Sequence, residues 1–235
     1  MRFPSRLLAA NMVFALLLWG ALLVGVALIA AGVAVFGSLT GSAWEKGAQL
    51  ARWYALFVGV ALVREFLPMY IAHGATRRQF GAQAAITTTL FAPFLAALVA
   101  VGYLLEAGVY GLTGLPQTLD RLHLFAEPIH VPLVFAEYLI EIGAWIVAGS
   151  FVGAAFYRWD GGGLLALPIG VGLVVLAESA IGTELRLPFV SRFALGLDVP
   201  QSPAVTAGLG LATFLIGLAL TWLVVRDVPL RSRPA

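Results

Sequence analysis

Residues 7–36 read LLAANMVFALLLWGALLVGVALIAAGVAVF, a run without a single charge in which Asn11 is the one strongly polar side chain. The hydrocarbon core of a bilayer is about 30 Å thick, and a helix crosses it in about 20 apolar residues. This run is long enough to do so. It is also much longer than the apolar core of about 7 to 15 residues found in a cleavable signal peptide. With Arg2 and Arg6 in front of it, it reads as a retained first span.

The same signal recurs along the chain. Further apolar runs cover residues 48–71, 80–105, 131–156, 164–181 and 204–225. Over 235 residues the composition is 61% hydrophobic and 11% charged, with a mean hydropathy of +0.96, whereas soluble domains carry about 25% charged residues. No stretch remains for a soluble domain. The expected fold is therefore an all-α integral membrane protein, one transmembrane domain over 1–235, with six transmembrane helices. The chain has no cysteine, which excludes disulfides, thiolate metal sites and thiol nucleophiles. Lys46 is its one lysine against thirteen arginines, a bias that suggests a GC-rich prokaryotic genome and hence a prokaryotic cell membrane.

The links between the runs are short. Ser38, Ser42, Glu45 and Lys46 lie between the first two, and the second is interrupted late by Arg64, Glu65 and Pro68. The longest polar interval, 106–130, carries Pro116, Asp120, Arg121, Glu127 and Pro128. The fourth run ends at Arg158, Trp159 and Asp160, where Gly161, Gly162 and Gly163 break the helix. Between the fifth and sixth runs, 182–203 has an apolar interior flanked by prolines that is too short to span, which fits a re-entrant or interfacial element.

Arginine and lysine near the span ends set orientation, because positive loops stay in the cytoplasm. With the N-terminus inside, the cytoplasmic set is Arg2, Arg6, Arg77, Arg78, Arg158, Arg226, Arg231 and Arg233; Lys46, Arg52, Arg121, Arg186 and Arg192 fall outside. Both termini are then cytoplasmic, and the number of spans is even.

Carboxylates at membrane depth are costly and face protein or a water-filled cavity. Glu137 and Glu141 stand four residues apart on the fourth span, so they project from one helical face and repel if both are charged. Two readings follow: a proton or cation relay, or structural pairing with Arg52, Arg121 or Arg186. Their place in the outer half of the span favours structural pairing or a cavity lining, and Glu178 near the outer end of the fifth span reads the same way. Arg64 is close enough to the cytoplasmic end of its span to snorkel. Arg64 and Glu65, being adjacent, diverge around the helix, so a partner on another helix is expected for each. Gly149 and Gly153 form a Gly-x-x-x-Gly step that permits close helix approach, and Ser150 reads as a helix-packing hydroxyl.

Several chemistries are excluded. The one lysine is followed by Gly47 and Ala48 rather than forming the Gly-Lys-Ser/Thr end of a phosphate-binding loop, so the chain is not itself an ATPase. The three histidines, His73, His123 and His130, fall in loops or at span edges, and no His-Glu-x-x-His arrangement is present for zinc. A formal net charge of +2, with arginines divided among the membrane edges, provides no basic face for nucleic acid.

The segment 71–80, IAHGATRRQF, is short, basic and on the cytoplasmic side, and from its physics alone it reads as a positive-inside anchor. The turn Gly74, Ala75, Thr76, Arg77, Arg78, Gln79, Phe80, preceded by Arg-Glu-Phe-Leu-Pro at 64–68, resembles the membrane (permease) subunits of type-two ABC exporters. The resemblance implies that residues 74–80 couple to a separate ABC ATPase subunit, with Arg77 and Arg78 as its docking surface. It also implies a re-entrant element between helices five and six, and pairing with a second permease copy or a paralogue. No cofactor is then bound by this chain, and ATP and Mg are expected on the partner. Such permeases often have a longer amphipathic helix before the first span, where this sequence has only residues 1–6. Two other classes stand beside this one: a proton-coupled secondary transporter using Glu137, Glu141 or Glu178, and a non-transporting membrane scaffold or immunity protein.

Overall fold

The computed structural model describes residues 5–186 and 194–228, and within them the chain is overwhelmingly helical. Helix α1 spans Ser5–Phe36. Helix α2, Ala43–Arg64, starts where the Ser42 side chain accepts from the Glu45 backbone N–H, and its end follows from Pro68. Proline has no N–H to offer the Arg64 carbonyl four residues back, but it is tolerated in the first turn of a new helix, and α3 runs Phe66–Ala72.

The chain reverses at Gly74, whose φ of +82° suits glycine. A reciprocal capping box of Thr76 and Gln79 then opens α4, Arg77–Thr113. A left-handed Gly114 closes it. Helix α5, Val131–Trp159, begins with Pro132 in its first turn and stops at Asp160, which has a φ of 49°. A 3-10 turn, Asp160–Ala166, leads into α6, Leu167–Ile181. Two residues, Leu185–Arg186 (β1), pair antiparallel with Ala194–Leu195 (β2). Helix α7, Pro203–Val225, is capped by Ser202.

Five apolar segments are long enough to cross a membrane: Leu8–Phe36, Ala43–Ala72, Arg77–Thr113, Val131–Ile181 and Pro203–Val225. This is the architecture of a multi-pass helical membrane protein. The fourth segment folds back on itself: Gly163 lies against Phe156 and Gly170 against Val152 and Ala148, so α6 runs antiparallel to α5.

Helix α5 is the axis of the bundle and is almost wholly buried from Glu141 to Ala155. Its most extensive interface is with α2, and no layer of side chains separates the two. A Cβ at Gly149 would overlap the Leu56 carbonyl, one at Gly59 would overlap the Ile146 carbonyl, and one at Gly153 would sit 2.8 Å from the Val60 oxygen. Without a hydrophobic drive between helices in lipid, such close approach supplies the association energy. The Gly149 and Gly153 step is thus one side of a backbone-to-backbone seam. On the other flank of α5, Gly210 takes Ile140 and Gly217 takes Val147, so α2, α5 and α7 run the same way. Helix α1 is peripheral, with Ala15 its one buried residue among those described; the indole N–H of Trp19 donates to the Leu98 carbonyl at 2.8 Å.

The structure shifts several expected boundaries. The second apolar segment begins at Ala43 rather than 48, because Ser42 caps it, and so takes in Glu45 and Lys46. The third continues to Thr113, eight residues beyond 105. Glu106 does not begin a loop there, because its carboxylate is satisfied on the helix by Ser42 Oγ at 2.6 Å, Trp44 N at 2.8 Å and Gln117 Nε2 at 2.9 Å. Gly161, Gly162 and Gly163 belong to the 3-10 turn. In 182–203, where a re-entrant element is expected, Leu185 and Arg186 pair with Leu195 and Ala194, while residues 187–193, with Arg192, lie outside the described residues, as does the side chain of Arg186.

Candidate functional site

Two places concentrate polar side chains, one at each end of the bundle. At the end where α2 begins, the 114–130 loop folds inward over α5 and inserts Arg121 and His123 among four buried glutamates. Glu45 comes from the first turn of α2, Glu137 and Glu141 from one face of α5, and Glu178 from the end of α6; none is more than 3% exposed.

Each cation bridges elements. Arg121 Nη2 donates to Glu141 Oε1 at 2.9 Å and lies 3.4 Å from Glu137 Oε1. Arg52, from the middle of α2, donates to Glu178 Oε1 at 2.9 Å and stands 3.7 Å from Glu141 Oε1. His123 places Nδ1 2.6 Å from Glu137 Oε1 and Nε2 3.3 Å from Glu45 Oε1. Backbone N–H groups of the loop complete the set: Asp120 and Arg121 donate to Glu45, and Leu124 donates to Glu137 Oε2. Thr183 Oγ1 donates to Glu178 Oε2 at 2.6 Å.

Burial works against a charge on His123, and the hydrogen bonds to Glu137 and Glu45 outweigh it, raising its pKa above the ordinary imidazole value. Burial likewise opposes the charge on Arg121, and the carboxylates of Glu141 and Glu137 more than restore it. The loop is therefore held as a cationic strap across a carboxylate-lined helix face. Beneath it, Tyr103 on α4 and Tyr138 on α5 share a buried hydrogen bond of 2.9 Å between their hydroxyls. Beside it opens a cavity of about 570 Å³ lined by Arg52, Arg121, Trp53, Trp145 and the Lys46–Asp120 pair at its exposed rim.

At the opposite end lie α3 and the turn into α4. Arg64, Glu65, Met69, His73, Gly74, Thr76, Arg78 and Gln79 are exposed. Among the described residues Arg64 and Glu65 form no ion pair, which corrects the expectation of a partner on another helix: the break at Glu65 swings both side chains outward. Two residues of the 74–80 turn are not free surface. Phe80 is buried against Tyr70, ring centres 5.7 Å apart. Arg77 is half-buried and donates twice to the Val228 carbonyl, at 2.8 and 3.1 Å. Arg158 donates to the Val224 carbonyl at 3.1 Å, so two guanidinium groups satisfy carbonyls at and just beyond the end of α7, where cations are favoured. Arg78 faces an apolar cleft of about 440 Å³ between α4 and α7, floored by Leu62 and Ser150 and walled by Trp222.

The chain matches no family model, no curated protein and no solved structure.

Of the residues singled out in the sequence, the fold brings Glu137, Glu141 and Glu178 together with Arg52 and Arg121, while Arg64, Glu65 and 74–80 gather at the other end. Sequence reasoning missed Glu45 and His123, which complete the cluster under the 114–130 loop. The spacing Ser42-x-x-Glu45, a helix-start signature, could have put Glu45 on a helix. Nothing local marked His123, whose partners lie 14 and 78 residues away. Among the described residues no group of His, Asp and Glu is arranged to hold a metal ion.

Proposed function

We propose that the chain is the permease subunit of an ABC exporter, docking a separate ATPase on the surface formed by α3 and the turn into α4. One observation carries this reading: at the end of an otherwise apolar bundle, the kinked α2–α3 segment and the first turn of α4 present Arg64, Glu65, His73, Arg78 and Gln79 outward. Arg64, Glu65 and Arg78 have no ion-pair partner there among the described residues. A charged surface left unpaired beside lipid suits a polar partner, and its place after the second apolar segment agrees with the Gly74–Phe80 resemblance.

In this reading the chain crosses the membrane six times with both termini cytoplasmic. The antiparallel return of α6 supplies the extra crossing, because the chain from Gly163, already turned back against Phe156, to Ile181 reaches about 30 Å, enough for the hydrocarbon core. The charge distribution supports the same orientation. Arg52 and Arg121 are neutralised by glutamates at the outer end, while Arg64, Arg77, Arg78, Arg158 and Arg226 gather at the inner one, as the positive-inside rule requires.

Docking narrows to Gly74, Ala75, Thr76, Arg78 and Gln79, with Arg77 and Phe80 holding the turn in place. Closure of two ATPase subunits on ATP and Mg would push this turn, and a second permease copy or paralogue would complete the pathway. The test is to co-purify the chain with the ATPase encoded beside it and to replace Arg78 and Gln79 by alanine. ATPase stimulation and transport are expected to fall while assembly of the membrane bundle is retained; unchanged stimulation and transport would remove the assignment.

A further inference from the structure

We infer that the outer charge cluster is a proton-binding site whose proton sits on Oε2 of Glu141. Charge count comes first. The groups facing Glu141 are Arg52 and Glu45 from α2, Arg121 and His123 from the loop, Glu137 and Tyr138 from α5, Glu178 from α6, and Tyr103 from α4 behind Tyr138. Both ring nitrogens of His123 point at carboxylate oxygens, at 2.6 and 3.3 Å. An imidazole can donate in both directions only when doubly protonated, so His123 counts as a cation. Among the described residues, four carboxylates then face three cations.

A buried charge without compensation is costly enough that the group takes up a proton instead. The hydrogen bonds identify which carboxylate does so. Glu45, Glu137 and Glu178 each have both oxygens accepting hydrogen bonds. Glu141 is fully buried, and its Oε2 has no partner among the described residues. Its Oε1 serves equally as the carbonyl oxygen of a neutral acid, still accepting from Arg121 at 2.9 Å.

The surroundings of Glu141 Oε2 do not suit a metal cation. Calcium or magnesium needs about six oxygen ligands, and one free carboxylate oxygen is present. The proton reaches the site from the outer cavity, whose lining includes Arg52, Arg121 and Trp145, the residue one turn beyond Glu141 on α5. Binding forms one O–H bond with a proton taken from water. Its loss leaves a negative charge under the strap.

Nothing in this cluster depends on an ATPase at the other end of the bundle. The test is infrared spectroscopy of the full chain in lipid with carbon-13-labelled glutamate. At neutral pH we expect the carbonyl stretch of a protonated glutamic acid, lost in Glu141→Gln and kept in Glu65→Gln. Absence of the band from the wild type, or its persistence in Glu141→Gln, would overturn the assignment. Thermal unfolding gives a second readout. Glutamine mimics the neutral acid, so Glu141→Gln should unfold within a few degrees of wild type. Glu137→Gln and Glu178→Gln should unfold about 10 °C earlier. A Glu141→Gln protein as unstable as those two, or unable to fold, also refutes the site.

Discussion

Replacing Gly149 by alanine tests the seam between α2 and α5 most directly. The new methyl group would occupy the position of the Leu56 carbonyl, with the Leu56 Cα 3.0 Å away, and ordinary carbon contacts are about 3.5–4.0 Å. The obstacle is backbone on a packed helix, so no rotamer change relieves it and the helices must part locally by about 1 Å. Overpacking of this kind costs about 1–3 kcal/mol. Alanine recovers up to about 1 kcal/mol of helix propensity, which leaves a net loss of about 1 kcal/mol. For a chain of this size that is about 2–4 °C in unfolding temperature. The matched control is Gly108→Ala on α4, where a Cβ meets nothing within 4 Å; it should be neutral or slightly stabilising. Thermal unfolding in one detergent, followed by tryptophan fluorescence, compares the two. Combining Gly149→Ala with Gly59→Ala should cost less than the sum, because the first methyl already opens the space needed by the second. A Gly149→Ala protein no less stable than Gly108→Ala would refute the backbone seam.

Three more outcomes follow from the outer cluster and can be read by the same unfolding assay. Arg121→Met strands the buried carboxylate of Glu137 without its guanidinium partner and should cost about 3–5 kcal/mol, with partial recovery when Glu137→Gln is added. Tyr103→Phe should cost about 1–2 kcal/mol by leaving the buried Tyr138 hydroxyl unpaired, and Tyr103→Phe with Tyr138→Phe should cost less than the two singles summed. His123 has a folded pKa raised above the unfolded value of about 6.5, so its stabilisation is complete below about 6.5 and is lost as pH rises through the folded value. The wild type should therefore lose stability relative to His123→Gln on going from about pH 6 to 9, and parallel pH profiles would contradict a protonated His123.

Much of this architecture was legible in the sequence, since each apolar segment announces itself by length and lipid leaves helix as the economical way to bury its backbone. Glu137 and Glu141 were legible as one face of one helix, with Arg52 and Arg121 as candidate partners, because helical spacing is local. The boundaries at Glu45 and Glu106 were not, because charge near a span end looks like a loop until its acceptors are known to be satisfied by Ser42, Asp120 and Gln117. His123 lay out of reach for a related reason: it is brought to Glu45 by the path of an irregular loop that has no period to read. At the other end of the bundle, the basic turn was visible, but the commitment of Arg77 to the Val228 carbonyl depends on where α7 ends in space.

The seam between α2 and α5 has a mechanical consequence. Most helix pairs touch through side chains that can change rotamer and so absorb small displacements, like a gasket. Here the gasket is missing from Leu56 to Val60, and the two helices must travel as one girder. That girder carries Glu45, Glu137 and Glu141 toward one end, Arg52 in the middle of α2 and Arg64 at the other end. A displacement of α2 must therefore carry α5 with it, and with α5 the two glutamates on which the 114–130 strap rests.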